Sequence, residues 1–215
     1  MNKYPFVPGA KSTGDGPAVI ADERQQLADV LHGKHYVDCL RGRVFSQQCT
    51  PLGLAIPIYT GTALAGGMPI WNPPNSGVNV ELISVNVARA SGTADFAAIG
   101  LMARKLDAIA TGAIVTAFAD TAPVNGLLFR GQASAVKSSN AGTVTASAGA
   151  AGDFVRNLFT INLEADTGTA HATTSAKEDF DGTLIVPPGA LVYLAATKAS
   201  VALYSSTIIW KEIPL

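Results

Sequence analysis

Residues 181–213 read DGTLIVPPGALVYLAATKASVALYSSTIIWKEI, and this stretch sets the fold class. Asp181-Gly182 leads into the apolar run Thr183 to Val186. Pro187-Pro188-Gly189 predicts a tight turn, because proline fixes φ and glycine accepts a positive φ. Leu191 to Thr197 is expected to return from that turn as the next strand of a hairpin. Val201 to Ile213 then closes the sheet, with Ile208 and Trp210 on one face and Ile209 and Lys211 on the other.

The same grammar runs back to Arg43. VFSQQ, LAIPIY, VNVELISVNVAR, FAAIGLMAR, LLFRGQASAV and FVRNLFTINL are strand-length runs separated by Gly, Pro, Asn and Asp clusters, as all-β domains require. The run from Val78 to Arg89 changes parity. Val78, Val80 and Leu82 share one face, and Ile83, Val85 and Val87 share the other. A β-bulge near Leu82 accounts for this, and so does burial of both faces. The reading is all-β: an antiparallel, jelly-roll-like β-sandwich over 41–215. An N-terminal arm and helix precede it over 1–40.

Charge is scarce. Asp, Glu, Lys and Arg make up 14% of the 215 residues, against about 25% in ordinary domains. Between Val44 and Ala88 the only charged residue is Glu81. A stretch that gives up surface charge is expected to be covered, either by its own core or by a partner. The net charge of −1 and the scattered basic residues exclude a nucleic-acid groove, which needs clustered Lys and Arg.

The opening MNKYPFVPGAKSTGDGP does not read as a signal peptide, since Pro5, Pro8 and Gly9 interrupt any apolar region. No apolar run has the length to cross a bilayer. A soluble protein made in the cytoplasm is therefore expected. Residues 1–20 read as an extended arm whose Tyr4, Phe6 and Val7 are apolar enough to dock on a neighbour. Ala21 to His32 predicts the one short helix. Asp22 and Glu23 lie in its first turn, Leu27, Val30 and Leu31 form a narrow stripe, and Gly33 closes it. The Ala-, Ser-, Thr- and Gly-rich region from Thr111 to Ala151 reads as a long loop or weakly packed hairpin.

Four segments carry a resemblance. They are RGRVFS at 41–46, IWNPPNSGVNVELISVNVAR at 70–89, FDGTLIVPPGALVYL at 180–194 and IIWKEIPL at 208–215. In this order and spacing the chain resembles structural proteins of tailed-bacteriophage virions. The resemblance implies a head decoration or cement protein on the head surface of the particle. Its implied partners are further copies of itself, as a homotrimer, and the major capsid protein. Low-charge surface suits that role, because obligate interfaces resemble a domain core cut in half and symmetry multiplies modest contacts. Leu54, Ile56, Ile58 and Trp71, with Tyr4, Phe6 and Val7, are the expected contact residues. The alternative is a tail- or fibre-associated module that binds host glycan through Trp71 and the loop at 133–151.

Chemistry-bearing residues are few. His32, His35, Cys39 and Cys49 include zinc-like spacings, but their order matches no established ligand pattern. Glu178, Asp179 and Asp181, with Glu164 and Asp166, lack the dense oxygen loop of a calcium site. They also lack the aromatic cleft of a glycosidase pair. No nucleophile elbow or phosphate loop appears. The expectation is a protein without enzymatic activity, catalytic residues, cofactor or metal.

Overall fold

A computed structural model describes residues 34–59, 67–92, 97–105, 121–128, 131–140, 153–161, 175–199 and 202–215. Its elements are α1 (Tyr36–Leu40), β1 (Val44–Gln48), β2 (Ile70–Asn72), β3 (Val78–Ser91), β4 (Ala97–Lys105), β5 (Val124–Asn125), β6 (Lys137–Ser138), β7 (Asp153–Ile161), β8 (Ser175–Asp179), β9 (Ile185–Val186), β10 (Ala190–Ala196) and β11 (Leu203–Pro214). The expected helix at Ala21–His32 and the arm residues Tyr4, Phe6 and Val7 lie outside the described residues.

The strands form two antiparallel sheets. Sheet I runs β5-β1-β11-β3-β8, with β9 also on β3, and sheet II runs β6-β2-β10-β4-β7. Both β8 and β9 pair antiparallel with β3, at Ser84–Ala88 and at Val80–Glu81. They are two pieces of one interrupted edge strand. Setting aside the two-residue β5 and β6, the main strands in chain order lie first–eighth–third–sixth in sheet I and second–seventh–fourth–fifth in sheet II. That nesting is the jelly-roll wrap, in which successive antiparallel pairs straddle the two sheets.

The bulge in β3 is present. Ile209 pairs with Ser84 but Trp210 pairs with Leu82, which leaves Ile83 as the extra residue. This resets the parity, so Val80, Leu82, Val85 and Val87 all enter one core. The edge strand breaks at the same place. Phe180 N–H donates to Ile83 O, and Leu82 N–H to Leu184 O. Between them the chain makes an excursion in which Asp181 (φ 48) and Gly182 (φ 77) both take left-handed backbone. Thr183 N–H closes it onto Phe180 O, the Asp-Gly geometry of a type I′ turn. The excursion buries the Phe180 ring.

The Pro187-Pro188-Gly189 turn forms, with Gly189 at φ 84 and Ala190 N–H donating to Pro187 O. It does not make the expected hairpin. β9 pairs with β3 in sheet I, whereas β10 pairs with β2 and β4 in sheet II. The turn is a corner that carries the chain between sheets, and β11 likewise does not neighbour β10. The two ladder residues of β9 are already paired with β3, while the edges of β10 are taken by β2 and β4.

Phe45, Trp210, Ile70, Leu82, Ile99, Leu101, Leu194 and Ile208 form the centre of the core between the sheets. The Phe45 and Trp210 rings stack with centroids 6.1 Å apart. Two polar contacts cross the core. Ser138 of sheet II donates to Gln47 Oε1 of sheet I at 2.8 Å. Asn72 of sheet II donates to Val78 O and Val186 O of sheet I.

Candidate functional site

HYVDCLRG, residues 35–42, turns once as α1 and stops at Gly42. The stop is a glycine C-cap: Gly42 takes φ 66, Arg43 N–H reaches back to Asp38 O, and Gly42 N–H to Cys39 O. The helix lies on the outer surface of sheet I. There Lys211 of β11 stands directly opposite Glu81 of β3 in the ladder. The Lys211 ammonium is 3.0 Å from Glu81 Oε2 and 3.3 Å from Asp38 Oδ2 of the helix. Just before the helix, Lys34 pairs with Asp181 at 2.6 Å in the excursion between β8 and β9. Gly182 of that excursion lies against Glu81, where a Cβ would stand only 3.4 Å from Oε1.

This cluster is the densest electrostatic feature among the described residues. Burial works against the Lys211 ammonium, but hydrogen bonding to Glu81 and the charges of Asp38 and Glu81 outweigh it and raise its pKa above the ordinary value. Burial pushes the Cys39 thiol up, and Asp38 adds to the effect. His35 is pushed down, first by burial and then by the Lys211 and Lys34 charges. Its Nδ1 is buried and finds no hydrogen-bond partner among the described residues. Sequence reasoning did not assemble this group, yet a signal was present. A single charge within an uncharged run is rarely buried without a partner, and Glu81 is that charge.

The expected contact residues fall in two places. Leu54, Ile56 and Ile58 belong to the segment that crosses one end of the sandwich. Leu54 bridges to Tyr204 of sheet I and Ile58 to Ala196 of sheet II. Ile56 is buried in the core between them. The stretch lacks charge because it closes the sandwich. The apolar side chains it turns outward are Leu52, 81% exposed, and Tyr59, 39% exposed. Leu52 sits on a turn locked by Gly53 N–H to Thr50 O at 2.8 Å. Gly53 takes φ 75, and a Cβ there would meet Tyr204 backbone at 3.0 Å.

Trp71 occupies the outer face of sheet II and is 4% exposed. Lys137 Nζ lies 5.9 Å from its ring centroid. The ring therefore offers no open face on which a sugar could stack. The loop proposed beside it is described only up to Asn140. Within it Ser138 and Ser139 are buried, and Ser134 Oγ and Ala135 N–H both donate to Glu212.

The acidic turn residues are dispersed onto cations. Glu178 faces Arg156 at 3.8 Å, Asp179 faces Lys177 at 2.9 Å, and Asp181 faces Lys34. Glu164, Asp166 and His32 lie outside the described residues. Cys39 and Cys49 sit beyond opposite ends of β1, both as free thiols. Among the described residues no three His, Cys, Asp or Glu side chains gather as a metal site. No described helix is long and apolar enough to cross a membrane.

The four sheet margins are blunted in three ways that limit strand addition. β5 and β6 are two residues long. β8 carries Lys177, Glu178 and Asp179. β7 has two register breaks against β4, which leave Leu158 and Val155 as extra residues. A shallow open groove of about 390 Å³ lies beside β5, lined by Val124, Leu127, Leu128 and Gln132. Comparison with protein-family models, curated proteins and solved structures finds no match to this chain.

Proposed function

We propose that this chain is a structural virion protein that decorates and stabilises a bacteriophage head, working by association with copies of itself and with the capsid shell. The observation that carries the reading is spatial. The four segments of the resemblance are far apart in the chain but adjoin in the fold. RGRVFS enters β1, which pairs with IIWKEIPL in β11. β11 pairs with β3, and β3 with β9 of FDGTLIVPPGALVYL. A resemblance spread over unrelated surfaces would carry less weight than one that forms a single neighbourhood.

Jelly rolls serve viral capsids, lectins and cupins alike, so the fold class by itself selects no activity. The surface favours association. Leu52 and Tyr59 stand out from one end of the sandwich, and a leucine on a locked turn loses little entropy when it docks. The homotrimer and the capsid contact are part of the proposal, with the arm at Tyr4, Phe6 and Val7 as a second contact.

The test has two arms. Sedimentation of the purified full chain is expected to give a closed oligomer, and a strict monomer at high concentration overturns self-association. Quantitative mass spectrometry of the particle is expected to find copies in proportion to capsid subunits, with loss of head stability when chaotrope strips them. A few copies per particle, confined to the tail, overturn decoration and favour the tail or fibre reading.

A further inference from the structure

α1 is tied to sheet I by charge. Tyr36 and Leu40 point to solvent, 41% and 49% exposed, and no residue of the helix is buried. One hold on the sheet is Asp38 on Lys211, with Lys211 fixed in turn by Glu81. Lys34 on Asp181 adds an exposed tether, and such pairs hold weakly. At the start of the helix sits His35, with Nδ1 enclosed and unpartnered among the described residues.

We propose that α1 and the sheet beneath it form an acid-sensitive latch: neutral His35 lets the helix dock on the Lys211–Glu81 pair, and protonation of His35 loosens it.

The groups that act on His35 come from every element around it. Lys34 and Asp38 lie on its own segment, Lys211 on β11, Glu81 on β3 and Asp181 in the excursion. Burial of the half-buried ring acts first, the Lys211 and Lys34 charges act in the same direction, and the Glu81 and Asp38 carboxylates oppose them less strongly. A charged imidazolium there loses hydration without gaining a dedicated acceptor.

The pH window follows. His35 is held below its ordinary 6.5 in the docked state and returns to that value when undocked. The undocked form thus binds more protons between the two values, and docking weakens as pH falls through that window. Asp181 and Lys211 do not share it. Lys34 lowers the Asp181 pKa below 3.8, and the Lys211 pKa lies above 10.5. Each unit of His35 depression corresponds to about tenfold in the docking equilibrium at the acid limit.

Hydrogen exchange on the full chain tests the latch at the amides of Cys39, Arg41 and Arg43, whose acceptors are the carbonyls of His35, Val37 and Asp38, at the start of α1 and within it. With rates corrected for intrinsic pH dependence, their protection is expected to fall at least about threefold between roughly pH 7.5 and pH 5. Amides of β11 should stay unchanged. In His35→Gln the change in α1 should vanish. Unaltered α1 protection in the native chain overturns the latch, and so does an equal loss in His35→Gln. A proton NMR titration of the His35 ring gives an independent readout, and a pKa at or above 6.5 overturns the proposal without any variant.

Discussion

The two sheets solve the same problem with different sequences. In sheet I, β11 alternates: Tyr204, Ser206, Ile208, Trp210 and Glu212 turn inward and are buried, while Ser205, Thr207, Ile209, Lys211 and Ile213 are half-buried on the outside. In sheet II, β10 reads ALVYLAA, and Leu191 to Ala196 are buried without interruption. Val192, Leu194 and Ala196 belong to the core between the sheets. Leu191, Tyr193 and Ala195 face the other way, in register with Trp71, Met102 and Gly100. Leu191, Tyr193, Ala195, Trp71 and Met102 are each 4% exposed or less. Along β10, sheet II is therefore dry on both faces, whereas along β11 sheet I is dry on one. An antiparallel sheet with a wet face alternates, and a sheet covered on both sides reads as a continuous apolar run.

The largest effect is expected where both sheets meet. Trp210 is fully buried and stacks on Phe45. Trp210→Ala should cost about 3–5 kcal/mol, the usual range for a core aromatic. Urea unfolding measures it. A loss below about 1 kcal/mol would mean that Trp210 is not central to the packing.

Next come matched outward positions, which break or sharpen the comparison directly. Leu191→Ala, on the outer face of sheet II, should cost about 2–5 kcal/mol, like any core leucine. Ile209→Ala, on the outer face of sheet I, should cost only about 1 kcal/mol. If the two losses are equal, the contrast between the faces fails.

The difference also explains what could be read in advance. The alternation of β11 and the parity change at Leu82–Ile83 were legible, because period-2 patterning reports which side is wet. β2 and β8 were not. Ile70–Asn72 is too short to show a period. Ser175–Asp179 alternates exposed polar residues with half-buried Ala176 and Glu178 at an edge, so SAKED resembles the turn it adjoins. LAIPIY looked like a strand but makes only isolated bridges at Leu54 and Ile58. Its apolar character comes from plugging the sandwich end, a role with no period of its own. The candidate site was legible in part. Glu81 stood out as a lone charge, but its partners are distant in sequence, at Lys211 and Asp38. Long-range pairing of that kind leaves no local trace.

The corner between the sheets gives a smaller effect. Gly189 takes φ 84 where the chain leaves sheet I for sheet II. Gly189→Ala should cost about 1–2 kcal/mol, the penalty of a left-handed backbone for a residue with Cβ. Thermal unfolding checks it, and a neutral or stabilising result would mean that the corner can reshape without strain.

The smallest effect on stability is expected at Leu52, and it separates folding from association within a single segment. Ile56 and Leu52 are four positions apart in the same uncharged stretch, but one is 6% exposed and the other 81%. Leu52→Asp removes almost no contact within its own chain, so its unfolding free energy should stay within about 0.5 kcal/mol of the parent. Ile56→Ser, by contrast, should cost several-fold more, because it places a hydroxyl in the plug. If Leu52 anchors a neighbouring copy, the aspartate must lose its hydration in the contact, and the oligomer should dissociate although the fold is intact. Sedimentation of Leu52→Asp against the parent, at matched concentration, decides this. An unchanged oligomer would remove Leu52 from the interface and leave the end of the sandwich as packing alone.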